Sequence, residues 1–153
     1  MTDTFLPTDY LDFSNTLFCN GSINKNNSVC RSIVSRSYYS AFLATREKID
    51  EIQKGFLSHG DFIPGRKRKE SHKEIIDAIL TVPHPKFNQS DRTVVYQQLI
   101  TLCKYRVNAD YKFINAKHQK EKNFEDRLDP TTSFAAKKAI TLANSVISVI
   151  SAL

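Results

Sequence analysis

A chain of 153 residues with 41% hydrophobic and 25% charged residues is long enough to bury a core, and its composition is that of a globular protein rather than a disordered one. A single domain spanning residues 1–153 is therefore expected. The formal net charge of +6 and the sequence pI of about 9.3 favour an anionic partner, RNA above all.

Cysteine usage and terminal segments disfavour several other classes of protein. The three cysteines are odd in number and form no CxxC pair, so neither a disulfide framework nor a zinc knuckle is indicated, and Cys30 and Cys103 are expected in the core. The N-terminus lacks the basic and apolar segments of a signal peptide. The apolar residues 139–153 are too few and too interrupted by polar side chains to span a bilayer. A soluble cytoplasmic protein without a membrane segment is expected.

Apolar residues recur at steps of three and four along most of the chain, which is typical of amphipathic helices. The pattern predicts helices over residues 8–18, 28–54, 90–113 and 129–153, and a short helix that begins at Ser71 and ends before Pro83. Thr8, Ser90 and Asp129 are the predicted N-caps, with Pro130 at a first helical position. Few glycines and no strand-like alternation accompany this pattern. The predicted fold is all-α, an antiparallel bundle of four to five helices.

Two predicted excursions are rich in charge. The loop over residues 55–70 contains a basic run that is either a solvated loop or a phosphate-contacting one, formed by Arg66, Lys67, Arg68 and Lys69. Residues 116–128 have little apolar content, and we expect them to form an exposed, partly disordered excursion.

Arg106 occupies a position where an apolar residue is expected. It falls on one stripe of the helix predicted over residues 90–113, together with Val95, Leu99, Leu102, Ala109 and Phe113. A cation on a buried stripe costs free energy unless it is paired or faces a partner or a cleft. Arg106 is therefore the first candidate for a functional residue. The alternative is a purely structural ion pair with Asp110, one helical turn away.

The polar side chains near Arg106 limit the chemistry that the chain can perform. No histidine lies three or four residues from another histidine or a cysteine, and no phosphate-binding loop or nucleophile elbow is present, so no metal or cofactor is predicted. Arg106 could stabilise the charge of a phosphorane-like transition state, while Asn108 and Tyr111 orient RNA. The 2′-hydroxyl of RNA is itself a nucleophile, so cleavage would need no metal. Tyr111, with an ordinary pKa of about 10, is a poor general base.

Two short segments resemble a known family. They are residues 36–42, RSYYSAF, and residues 106–111, RVNADY. Their order, spacing and helical context are similar to those of the HEPN superfamily, above all its small stand-alone prokaryotic members. The resemblance extends over roughly residues 28–153.

The resemblance implies a helical bundle that dimerises through its motif helices. It also implies RNA cleavage, toxin–antitoxin pairing with minimal nucleotidyltransferases, and anti-phage defence. The ribonuclease motif of the family is an arginine followed, four to six residues later, by a histidine. Arg106 matches the arginine, and Tyr111 stands at the histidine position.

These observations lead to two main hypotheses and a simpler third. The first is a variant metal-independent endoribonuclease with catalytic residues Arg106, Asn108 and Tyr111, acting as a homodimer. The second is a non-catalytic HEPN module that partners a nucleotidyltransferase or other defence protein, with Arg36 and Asp110 forming a structural ion pair. The third is a helical dimer that only scaffolds a complex.

Overall fold

Every regular element in the described part of the chain is a helix. A computed structural model describes residues 6–20, 27–53, 72–112, 129 and 132–153, and no strand occurs among them. The elements in chain order are α1 (Pro7–Cys19), α2 (Asn27–Ile52), α3 (His72–Ala78), α4 (Gln89–Val107), a π-helical turn (Asn108–Lys112) and α5 (Ser133–Ser151). The predicted all-α bundle and its five helices are thereby confirmed. The predicted excursions over residues 55–70 and 116–128, and the start at Ser71, lie outside the described residues.

Helix α2 is the centre of the bundle and contacts α1, α3, α4, α5 and the π turn. Its inward stripe is completely buried and includes Cys30, Ile33, Val34, Tyr38 and Ala41. Helix α5 faces it with small side chains, since Ala135, Ala139 and Ala143 have no exposed surface. Small residues at steps of four allow two helix backbones to approach closely, so α2 and α5 form the central pair of the core.

The start of α1 differs from its prediction. The N-cap is Leu6 rather than Thr8, and Pro7 occupies the first helical position. Asp9 lies in the first turn, and its carboxylate accepts a hydrogen bond of 2.8 Å from the Leu6 N–H. The proline ring favours the dihedral angles of a first helical residue, which explains why the helix begins before the threonine.

The N-caps of α4 and α5 also differ from the predicted residues. Asn88, not Ser90, caps α4, and its side-chain oxygen accepts a hydrogen bond of 2.9 Å from the Asp91 N–H. Thr132, not Asp129, caps α5 by accepting a hydrogen bond of 3.1 Å from the N–H three residues later. Several side chains near each start can act as caps, so a local pattern places the helix start only to within a few residues.

Arg92 of α4 fastens the segment between α3 and α4. Its guanidinium donates to the backbone carbonyls of Phe87 (2.8 Å), Ile79 (3.3 Å) and Val82, and lies 4.8 Å from the ring centroid of Phe87. Arginine suits this position because its planar fork carries several donors in fixed directions. One side chain therefore supplies donors to several backbone carbonyls of the segment between α3 and α4.

The helix predicted over residues 90–113 changes its hydrogen-bonding pattern near its end. Helix α4 is regular up to Val107 and then continues as the π turn, where Ala109 is buried and Asp110 is partly exposed. Such turns carry one extra residue per turn and often occur at functional sites.

Among the described helices, none is long and apolar enough to cross a membrane.

Candidate functional site

Arg106 lies at the edge of the core. The stripe residues Val95, Leu99, Leu102 and Ala109 are at most 1% exposed, as the periodicity predicts. The Arg106 side chain, on the same stripe, is 15% exposed. A guanidinium at this depth requires polar partners, because water reaches only part of it.

Those partners come from the π turn and from α2. Arg106 Nε lies 2.7 Å from Asp110 Oδ2, and Arg106 Nη2 donates a hydrogen bond of 2.7 Å to the Tyr39 hydroxyl. The Asp110 carboxylate also accepts a hydrogen bond of 3.3 Å from Ser35 Oγ. The network ties the end of α4 to the middle of α2, and it places the carboxylate between a cation and a hydroxyl.

A cleft of about 540 Å³ opens in front of this network, between α1, α2 and the π turn. Tyr10 lines it from α1, and Ala109 and Asp110 line it from the π turn. The remaining lining residues share one face of α2, at the steps of three and four that a helix requires: Ser28, Arg31, Ser32, Ser35, Arg36 and Tyr39.

The cleft carries a positive charge balance. Two arginines line it: Arg31, whose Nε donates a hydrogen bond of 2.6 Å to the Ala109 carbonyl, and Arg36, whose guanidinium lies 4.5 Å from the Phe13 ring centroid. Asp110 is the only acidic residue among the described residues that line the cleft, and Arg106 neutralises it from behind. Two lining guanidiniums, beside one lining carboxylate that is itself paired with Arg106, favour an anionic ligand.

Two of the three predicted catalytic residues, Arg106 and Asn108, have described side chains, and neither is among the described residues that line the cleft. Arg106 stands behind the cleft wall with protein groups as its partners. Asn108, the first residue of the π turn, is partly buried and is not among the described lining residues. The side chain of Tyr111 lies outside the described part of the chain, as do the basic loop residues Arg66, Lys67, Arg68 and Lys69.

Arg36 and Asp110, which were predicted to form an ion pair, each contact other residues in the structure. Both residues line the same cleft, yet Asp110 pairs with Arg106, while Arg36 packs over the rings of Phe13 and Tyr10. The cation that pairs with Asp110 is Arg106, one helical turn earlier in the chain. This is the structural ion pair that was the alternative interpretation of Arg106.

A histidine beside the network was not singled out from the sequence. His72, the first residue of α3, stacks on Phe42 with ring centroids 4.4 Å apart, and its Nδ1 shares a hydrogen bond with the Tyr38 hydroxyl. Its ring also lies edge-on to Tyr39, 6.2 Å between centroids. Because α3 is far from α2 and α4 in sequence, no local spacing could have indicated this contact.

Burial and charge set the protonation states in this cluster. Burial, and secondarily the charge of Arg106, lowers the pKa of His72, so its imidazole is neutral at neutral pH. Burial raises the pKa of Tyr38 well above its ordinary value, so its phenol stays protonated. A protonated phenol and a neutral imidazole therefore meet next to the Arg106–Tyr39 contact.

The polar face of α2 was also missed, although a signal for it exists. Serine and arginine recur from Ser28 to Arg36 at helical steps, opposite the buried stripe of the same helix. Singly, each is an ordinary surface residue. Only the packing of α1 and the π turn against this face makes it a concave surface.

Metal binding and relatives give no further indication of function. Within the described residues, no group of three or more histidine, cysteine, aspartate or glutamate side chains could hold a metal ion. The chain matches no protein-family model, and comparisons with curated proteins and with solved structures find no significant match.

Proposed function

We propose that this chain is a HEPN-like, RNA-binding helical protein of a toxin–antitoxin or anti-phage system, and that it acts as a non-catalytic binding module. The observation that carries the proposal is the cleft lined by Arg31 and Arg36, whose one described acidic lining residue is paired with Arg106. The net charge of +6 supports a polyanionic ligand of this kind.

The partners of Arg106 favour binding over catalysis. Its guanidinium already contacts a carboxylate and a phenol at 2.7 Å each, and it lies behind the cleft wall rather than in it. A catalytic arginine must point its donors at the charge that develops on the substrate. In this arrangement Arg106 instead positions Asp110 and Tyr39, which do line the cleft.

The proposal predicts RNA binding that weakens with salt and leaves the RNA intact. Fluorescence anisotropy of a labelled single-stranded RNA, in a buffer with a metal chelator, measures the affinity, and gel electrophoresis of the same samples measures integrity. The logarithm of the affinity should fall linearly with the logarithm of the salt concentration. An absence of binding at low salt would contradict the proposal and favour the scaffold hypothesis.

A second candidate function, metal-independent RNA cleavage, is favoured by His72. Its neutral imidazole lies near Arg106, where the motif histidine of the resemblance is absent. In such a reaction the 2′-oxygen bonds to phosphorus and the bond from phosphorus to the 5′-oxygen breaks. The 2′-hydroxyl proton passes to a base, and the leaving 5′-oxygen takes up a proton from an acid or from water. The products are a 2′,3′-cyclic phosphate and a 5′-hydroxyl.

Variants distinguish the two functions. If the chain cleaves RNA, His72→Gln and Arg106→Lys should each reduce the rate at least a hundredfold, while Lys137→Gln, an exposed change on α5, should leave it unchanged. Intact RNA after prolonged incubation with the wild-type protein would refute the cleavage function and leave the binding function in place.

We further propose a cytoplasmic homodimer that partners a nucleotidyltransferase or another defence protein. The support is the resemblance of residues 36–42 and 106–111 to HEPN segments. Light scattering of the purified protein measures its mass, and affinity capture from the native host identifies the partner. A monomer without a defence-protein partner would contradict this part of the proposal.

A further inference from the structure

We infer that the cleft between α1, α2 and the π turn recognises the phosphorylated end of an RNA strand, with Arg31, Arg36 and Ser32 contacting the terminal phosphate. The inference rests on the proposed RNA-binding function and names the part of the RNA that enters the cleft. The three residues that would contact the phosphate differ from Arg106, Asn108 and Tyr111, which were considered for cleavage.

Two cations approach the same space from one helix. Arg31 and Arg36 both line the cleft, and their Cα atoms are separated by about 7.5 Å along the helix axis. Arginine side chains are long enough to close that distance onto one phosphate group. Ser32, which is exposed on the same face between them, adds a hydroxyl donor.

The neighbouring contacts hold these cations in place. Arg31 is anchored by its hydrogen bond to the Ala109 carbonyl, and Arg36 is stacked 4.5 Å over the Phe13 ring. Stacking on an aromatic face fixes the plane of a guanidinium and leaves its edge, which carries the N–H donors, directed sideways. Preorganised donors lose less entropy when the ligand binds.

The charge and size of the cleft favour a strand end over an internal phosphate. A terminal phosphate carries nearly two negative charges at neutral pH and three acceptor oxygens, whereas an internal diester carries one charge. Two lining guanidiniums match the former. The volume of about 540 Å³ suits one nucleotide, and the tilted rings of Tyr10 and Tyr39, 6.3 Å apart, offer apolar surface for its base.

The experiment compares short single-stranded RNAs of one sequence with a 5′-phosphate, a 3′-phosphate or hydroxyls at both ends. Anisotropy competition should show that a phosphorylated end binds the wild-type protein about ten-fold more tightly than hydroxyl ends. Arg36→Gln should abolish this preference. Ser32→Glu, an exposed change that introduces a negative charge into the cleft, should abolish it as well. Lys137→Gln, which removes one charge outside the cleft lining, should retain it.

The results of this experiment distinguish failure of the inference from failure of the proposed RNA-binding function. Equal affinity for phosphorylated and hydroxyl ends would overturn the inference while leaving RNA binding intact. A lack of binding of any RNA at low salt would overturn the proposed function itself. Adenosine monophosphate and inorganic phosphate are tested as competitors as well. If either displaces phosphorylated RNA as effectively as unlabelled phosphorylated RNA does, the inference is overturned, because a free phosphate compound would then be the ligand. Retention of the preference in folded Ser32→Glu would place the site elsewhere.

Discussion

Arg106 contacts both the hydroxyl and the aromatic ring of Tyr39. The guanidinium donates a hydrogen bond of 2.7 Å to the Tyr39 hydroxyl, and its carbon lies 5.3 Å from the centroid of the Tyr39 ring. The two residues are 67 positions apart in sequence. A charged residue on an apolar stripe of α4 is thus accommodated by a side chain of α2, and Asp110 balances its charge.

Loss of Arg106 should therefore destabilise the fold more than loss of a surface cation. Arg106→Met removes the partner of a partly buried carboxylate, and we expect it to lower the free energy of unfolding by about 2 kcal/mol. Urea denaturation measures the change. As the control, Lys48→Met breaks the Lys48–Glu51 pair of 2.9 Å, whose carboxylate is 70% exposed, and should cost less than about 0.5 kcal/mol. Equal losses in the two variants would show that the Arg106 network contributes nothing special.

Stability should depend on pH through His72. Burial and the Arg106 charge lower the pKa of His72 in the folded protein below the ordinary value of 6.5, so on acidification the unfolded chain takes up a proton before the folded chain does. Stability is then fully present above pH 6.5 and falls as the pH drops below it, by at most about 1.4 kcal/mol per pH unit.

Urea unfolding at a series of pH values tests this dependence. His72→Phe keeps an aromatic ring against Phe42 and should flatten the decline, whereas Lys137→Gln, an exposed change on α5, should leave it unchanged. Identical pH profiles for the wild-type protein and His72→Phe would assign the acid sensitivity to other groups.

Arg92 should be difficult to replace by another cation. Lysine keeps the charge but cannot donate to several carbonyls in the fixed geometry that Arg92 uses. We expect Arg92→Lys to lower the free energy of unfolding by about 2 kcal/mol, since carbonyls of the segment between α3 and α4 lose their donors. Thermal or urea denaturation gives the value, with Lys137→Gln as a control for charge alone. A change within experimental error would mean that water replaces the lost donors.

The capping residue of α4 can be assigned by two alanine substitutions. Asn88→Ala removes the acceptor of the Asp91 N–H and should cost about 1 kcal/mol. Ser90→Ala, one position inside the first residue of the helix, should be close to neutral because alanine is the better helix former there. The reverse order of the two effects would restore Ser90 as the cap.

The fold was largely predictable because the local periodicity of apolar residues indicates where helices form. The helices, their order and most of their buried faces follow from apolar residues at steps of three and four, which place a stripe on one side of a helix. The exact starts at Leu6, Asn88 and Thr132 did not follow, because neighbouring side chains compete for each cap.

The candidate site was predictable in part, at Arg106, at its partner Asp110 one helical turn away, and at Arg36, which lines the cleft. The position of Arg106 on an apolar stripe is a property of the sequence, and it led to the network. The cleft face of α2 and the place of His72 depend on how α1 and α3 pack against α2, and no spacing along the chain encodes that.

By itself, then, the sequence determined an all-α bundle and an arginine that packing alone would not put there, because both follow from the local period of hydrophobic residues. Only the tertiary structure decided that Tyr39 holds this arginine, that Arg31 and Arg36 line a cleft between α1, α2 and the π turn, and that His72 lies beside Tyr39. These relationships join residues distant in sequence, and their geometry is set by the packing of whole helices.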